Sequence, residues 1–166
     1  PFDRDSQWAQ TASRDRSGHT ASRVSACAAP PGARSFVESA LEMKLRAVHA
    51  HIMTKPGAIE ERPFGPEVPV YKVMGKMFAY LSPQRTPPWL TLKLEPMTGQ
   101  LARMTHTSVR PGYHMNKEHW NTIVLDGSVP EGEILAWIDE SYDLVVAGLP
   151  RAKREALRRQ SGKAGT

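Results

Sequence analysis

A chain of 166 residues with a formal net charge of +5 has room for one hydrophobic core, which buries roughly two-thirds of the unfolded surface. No apolar run approaches the ~20 residues of a membrane span and the N-terminus lacks the apolar stretch of a secretion signal, so the expectation is a soluble protein. The lone cysteine, Cys27, has no partner for an internal disulfide and no neighbouring metal ligands, which suits the cytoplasm.

Residues 1–34 are rich in Ser, Ala, Arg and Asp and close on Ala28-Ala29-Pro30-Pro31-Gly32. Without periodic apolar positions to offset the ordering of the backbone, a disordered leader is expected. Ser35 and Glu38 then make a capping box, and Val37, Leu41, Leu45, Val48 and Ile52 recur every three or four residues, which predicts a helix ending before Pro56-Gly57. His49 and His51, two apart, point in different directions on such a helix and make a poor shared metal site.

After a proline-rich connection, residues 70–73 and 77–81 are strand-like runs joined across Met74-Gly75-Lys76, a hairpin with Gly75 and Lys76 at its tip. In residues 88–96, Leu90, Leu92 and Leu94 alternate with Thr91, Lys93 and Glu95, a strand with one dry face and one wet face that carries Lys93. Pro96 opens a short helix through Met104, with Leu101 and Met104 as apolar anchors. Residues 109–113 read as a fourth strand that includes the turn Pro111-Gly112, where Gly accepts positive φ. His114 to Trp120 has polar residues at nearly every position, as a surface segment or short helical turn would. Thr122-Ile123-Val124-Leu125 is a buried fifth strand ended by Asp126-Gly127.

Ser128 with Glu131 forms a second capping box, with Pro130 in the first turn. Ile134, Ile138, Tyr142, Val145 and Leu149 trace the buried stripe of a closing helix that Gly148 and Pro150 end. Residues 151–166 are a basic tail, either solvated or able to touch phosphates. The order is α-β-β-β-α-β-β-α, an α+β domain over residues 35–150 in two layers, with helices covering an antiparallel sheet.

Charge is segregated along the chain. Residues 1–34 carry five Arg and three Asp, residues 151–166 carry six Lys or Arg and one Glu, and the body between holds 11 basic against 13 acidic residues. Within that body, residues 71–117 contain Lys72, Lys76, Arg85, Lys93, Arg103, Arg110 and Lys117 against Glu95 alone, whereas residues 118–150 contain seven acids and no Lys or Arg. With the strands facing one way and the closing helix the other, a basic side suited to phosphates opposes an acidic side. Two solvated faces of opposite sign are the plain alternative.

Catalytic patterns are weak. His114, Glu118 and His119 miss both the His-Glu-x-x-His spacing and its inverted form. Cys27 lies in the leader, Ser141 sits in a helix without a nucleophile-elbow pattern, and no phosphate-binding glycine loop is present. Trp120 beside Asn116 and Lys117 suits stacking on a base, but a core indole is the stronger reading.

Four blocks, residues 70–81, 88–96, 110–127 and 138–149, stand in an order that resembles the YjbR/MmcQ family of small bacterial proteins. The resemblance implies a two-layer fold like that of double-wing DNA-binding domains and, by analogy from fold, DNA binding. The expected function is therefore a non-enzymatic DNA-binding domain without metal or cofactor. Lys72, Lys76, Lys93, Arg110 and Lys117 are the candidate phosphate contacts, with Asn116 and His114 as polar contacts. A protein-interaction or chaperone-like module, with a protein partner or self-association, is the alternative.

Overall fold

The computed structural model describes residues 36–112 and 115–163, with side chains over residues 41–112 and 115–160. The leader, Cys27, the Ser35–Glu38 capping box, Tyr113 and His114 lie outside those described side chains.

Helix α1 (Phe36–Met53) turns its apolar stripe inward as its periodicity requires, with Val48 and Ile52 at 2% and 0% exposure. The connection that follows contains a strand, β1 (Ala58–Glu61), paired antiparallel with β2 (Val70–Val73) from Ala58↔Val73 to Glu61↔Val70. Its four residues include two glutamates, so no alternation announced it; it exists because β2 offers a ladder to pair with. The hairpin from β2 to β3 (Lys76–Ser82) turns on Met74 and Gly75, both at positive φ (50° and 83°). That backbone matches the right-handed twist of the flanking strands. Lys76 therefore opens β3 opposite Val73 instead of sitting at the tip.

Strand β4 (Trp89–Lys93) is followed by α2 (Pro96–Thr105), β5 (Val109–Pro111), β6 (Trp120–Val124), α3 (Glu131–Ala147) and α4 (Arg151–Lys163). The strands form one six-stranded sheet, ordered β1-β2-β3-β4-β6-β5, in which every pairing is antiparallel. β1 and β5 are its outer strands, and β5 ends on Pro111, which has no N–H to offer.

One face of the sheet holds the core. Tyr71, Val73, Phe78, Leu81, Leu90, Leu92, Leu94 and Ile123 pack with Val48 and Ile52 of α1 and with Ile134, Ile138, Tyr142 and Val145 of α3. The Tyr142 ring meets Phe78 edge-on at 5.5 Å, and its hydroxyl donates to the Pro56 carbonyl (2.7 Å).

Three local expectations fail for identifiable reasons. The anchors of α2 are Gly99 and Ala102, both buried, while Leu101 and Met104 point outward at 65% and 77% exposure. The helix lies so close to Asn121 that a Cβ on Gly99 would come within 2.7 Å of its Nδ2, so small residues must face inward. At α3 the capping box does not form: Ser128 Oγ instead donates to Asp126 Oδ1 (2.6 Å), and the helix starts at Pro130 without a side-chain cap. Those bonds from the Ser128 hydroxyl and backbone hold the Asp126 carboxyl below the usual carboxylate range. Finally, the basic tail is helical through Lys163. Among its described side chains Leu157, 5% exposed, seats it in the core against Gly57, and Lys153 Nζ donates to the Met74 carbonyl (3.0 Å). A single large apolar residue, beside Ala152 and Ala156, gives no periodicity to detect.

Candidate nucleic-acid interface

Alternation along the strands sends a different set of side chains to the face away from the helices. Across β4 and β6 the pairs are Trp89↔Val124, Thr91↔Thr122 and Lys93↔Trp120, and β5 adds Arg110↔Thr122. β3 contributes Tyr80 opposite Thr91 and Ser82 opposite Trp89. Where the helix-side face is apolar, this one mixes aromatic rings, hydroxyls and cations, and no described helix lies on it. Its centre is dry: Thr91 and Thr122, at 5% and 4% exposure, place their hydroxyls 3.1 Å apart. The wet face expected for β4 is thus closed at Thr91 and opens at its ends, Trp89 and Lys93, both half-buried. Above Trp89 the exposed Arg85 guanidinium sits 4.7 Å from the ring centroid, a cation–π contact.

The backbone of Lys93 is held from the helix layer. β2 and β3 slip register between Tyr71 and Lys72, leaving Phe78 as an extra residue on β3, and β3–β4 pairing runs no further than Ala79↔Leu92. Where the next rung would be, the Ser141 hydroxyl of α3 enters: it accepts from the Lys93 N–H (2.8 Å) and donates to the Phe78 carbonyl. Ser141 is fully buried. It is a ladder-completing group, consistent with its lack of any nucleophile motif.

The sequence-derived candidates divide. Lys93 and Arg110 share the mixed face, and the exposed Lys117 lies in the turn leading into β6 beside the Lys93 end. Among the described residues, no carboxylate is in ion-pair range of Lys93, Arg110, Lys117 or Arg85. Lys72 shares the face but is paired with Glu61 of β1 and contributes little net charge. Lys76 stands at the hairpin end of β3, and His114 lies outside the described residues. Asn116 is a turn former: its Oδ1 accepts from the Glu118 N–H (2.9 Å) and its carbonyl accepts from Trp120 (2.9 Å). Trp120 is buried at 6% exposure but belongs to the mixed face and not to the main core. Sequence reading passed over Trp89 and did not single out Arg85; the alternation of β4 with Lys93 four residues on was the available signal.

Other titratable groups pair among the helices or join a helix to the sheet. His51 and Lys55 of the α1 end both reach Asp139 of α3, His106 Nε2 lies 2.9 Å from Glu133, and His49 Nδ1 lies 3.0 Å from the Tyr71 hydroxyl and 3.3 Å from Glu60. Among the described residues, no three His, Cys, Asp or Glu converge as a metal site. Burial, and then the Glu60 carboxylate, push the Tyr71 phenol well above its ordinary range, against a weaker pull from Arg62. A raised folded-state pKa adds stability that is fully present below the unfolded value of about 10 and is lost as pH rises through the folded one. Wild-type stability should therefore fall above about pH 10, by up to ~1.4 kcal/mol per pH unit for this group. Tyr71→Phe should flatten that fall, leaving the smaller contribution of Tyr142, whose phenol burial also raises. Urea melts between pH 8 and 11 decide it, and equal slopes in the two proteins would refute the assignment.

An antiparallel sheet with helices packed on one side and cations and aromatics on the other defines a small α+β sheet-face domain. The family model described as YjbR matches residues 53–144, more than half of the chain, and the chain belongs to the YjbR family. It is 36% identical over 115 residues to the Escherichia coli protein named uncharacterized protein YjbR, covering 69% of this chain and 98% of that one. A second Escherichia coli relative, uncharacterized protein YbdF, is 40% identical over 100 residues, 60% of this chain and 80% of the relative. The crystal structure of the Deinococcus radiodurans protein DR2400 shares the fold with a TM-score of 0.64 and 34% identity, covering 68% of this chain and 86% of that one. A crystal structure from Pseudomonas syringae, 26% identical, matches with a TM-score of 0.53 over 60% of this chain and 96% of the other. No described helix is long and apolar enough to cross a membrane.

Proposed function

We propose that this chain is a non-enzymatic, cytoplasmic DNA-binding domain of the double-wing-like kind that grips phosphates through Lys93, Arg110 and Lys117. The observation that supports the reading most is the position of Lys93 and Arg110 on the face opposite the acidic helix α3, which carries Glu131, Glu133, Asp139, Glu140 and Asp143 in the layer it shares with the basic α4. Asp139 and Glu133 are moreover engaged by partners on their own side, and Glu140 accepts from the Glu95 N–H. Carboxylates engaged in the helix layer are held away from Lys93 and Arg110, which supports a phosphate-binding role for these two cations.

Each phosphate neutralised lowers log affinity by ~0.9 per tenfold rise in salt for duplex DNA and by ~0.7 for a single strand. The triple variant Lys93→Gln, Arg110→Gln, Lys117→Gln should therefore reduce the salt slope by about 2 to 3. Fluorescence anisotropy between 50 and 200 mM salt measures it. A wild-type affinity indifferent to salt, or a variant with the wild-type slope, would remove the reading.

A protein-interaction module is favoured by one separate observation, the outward stripe Met97, Leu101 and Met104 on α2 at 83%, 65% and 77% exposure. Large apolar side chains recurring at four and three residues on a solvent face suit a helix-sized groove or a second chain. Under this reading Leu101→Ser abolishes a stoichiometric protein complex and leaves any DNA affinity unchanged.

A further inference from the structure

The mixed sheet face offers more than charge, and the inference below rests on the nucleic-acid reading just given while narrowing its ligand. Three accessible features surround the buried Thr91–Thr122 pair. Trp89 with Arg85 stacked on it marks one end of β4, and Lys93 marks the other, about 13 Å away along the strand. Arg110 stands two strands to the side, about 10 Å from the Thr91 column. One ring flanked by cations at this spacing matches a backbone that threads past cations while a base lies on an aromatic face.

Duplex DNA fits the same surface poorly. No described helix rises from this face to enter a groove. The β2–β3 turn, where a wing would reach, has its Met74 carbonyl occupied by Lys153 of α4. The hydroxyls at the centre of the face are buried and satisfy each other, so they have nothing to offer base edges.

We infer that the ligand is single-stranded nucleic acid, with a base stacked at the Trp89–Arg85 pair and phosphates held by Lys93 and Arg110, largely without regard to sequence. Stacking uses a π-face that every base possesses, and the central threonines read no edge pattern.

The test uses the full chain and a fluorescein-labelled oligothymidylate of about 16 nucleotides, compared with its duplex on oligodeoxyadenylate, by anisotropy at one salt concentration. The single strand should bind at least about tenfold more tightly than the duplex. Trp89→Ala should weaken single-strand binding about tenfold, the size expected for one lost stacked base, and leave duplex affinity unchanged; Trp89→Phe should retain most of it. Arg85→Gln, at an exposed position that does not threaten folding, should weaken it about threefold.

If Trp89→Ala and Arg85→Gln both bind as wild type while Lys93→Gln with Arg110→Gln weakens binding, stacking is refuted and phosphate gripping survives. Equal or tighter duplex binding refutes the single-strand assignment alone. Heparin competing as well as the oligonucleotide at matched charge refutes it too, and binding to neither nucleic acid refutes both this inference and the reading on which it rests.

Discussion

Ser141→Val is expected to cost about 3 kcal/mol of folding free energy and to lower Tm by roughly 10 °C. The valine is larger than serine by one heavy atom, has the shape of threonine, and cannot accept from Lys93 or donate to Phe78, the two backbone groups that the serine hydroxyl joins. Both lie where the β3–β4 ladder has run out, beneath a helix that excludes water. Each stranded group carries a desolvation penalty of ~1–3 kcal/mol. Ser141→Thr keeps the hydroxyl and should recover much of the loss, which separates missing hydrogen bonds from misfitted volume. Chemical denaturation of the three proteins checks this, and a valine variant as stable as wild type would mean that the serine bridge is dispensable.

Gly112→Ala is expected to destabilise the domain by about 2 kcal/mol through overpacking. Its added Cβ would meet the Trp120 Cβ at 2.8 Å and the Trp120 carbonyl oxygen at 3.0 Å. Neither is the free end of a flexible side chain. Moreover, Gly112 donates to that same carbonyl (2.7 Å), so backing away breaks a bond that closes the β5–β6 end. Trp120 pairs with Lys93, and any shift in β6 carries into the cationic face. Thermal melts and oligonucleotide affinity should therefore fall together. An unchanged melt with weakened binding would place Gly112 in ligand contact instead.

This glycine illustrates which parts of the molecule were legible in its sequence. A Pro-Gly step suggested a residue needed for positive φ, yet Gly112 is absent from the positive-φ glycines and is required for the room it leaves. Turn chemistry is local and can be read from two letters, whereas close approach depends on a strand that arrives later in the chain. The same division explains α2. Its limits were foreseen, but the inward side was not, because large apolar residues usually face the core and here Asn121, buried and bonded to Arg103, admits only small ones. The stripes of α1 and α3, the β2–β3 hairpin and the dry side of β4 were readable because each buries a repeating pattern. β1 and α4 were missed because their order comes from tertiary partners, a neighbouring ladder and one leucine in the core.

At the candidate face, the cations Lys93 and Arg110 were found from charge bias along the chain, but their sharing of a surface is a matter of register. Lys72, with equal standing in the sequence, lost its net charge to Glu61, a residue of the strand that escaped notice. Trp89 was reachable from β4 alternation and was overlooked in favour of Trp120, which sits beside more polar neighbours yet is buried.

The two margins of the sheet bear on how the protein behaves when crowded. An open β margin is a template on which another chain can zip, and fibre growth begins there. One margin here presents Glu60 and Glu61 in a stretch of four residues; the other is three residues long and stops at an imino acid. Neither can nucleate a long register of like strands, so concentrated solutions should resist fibrillation.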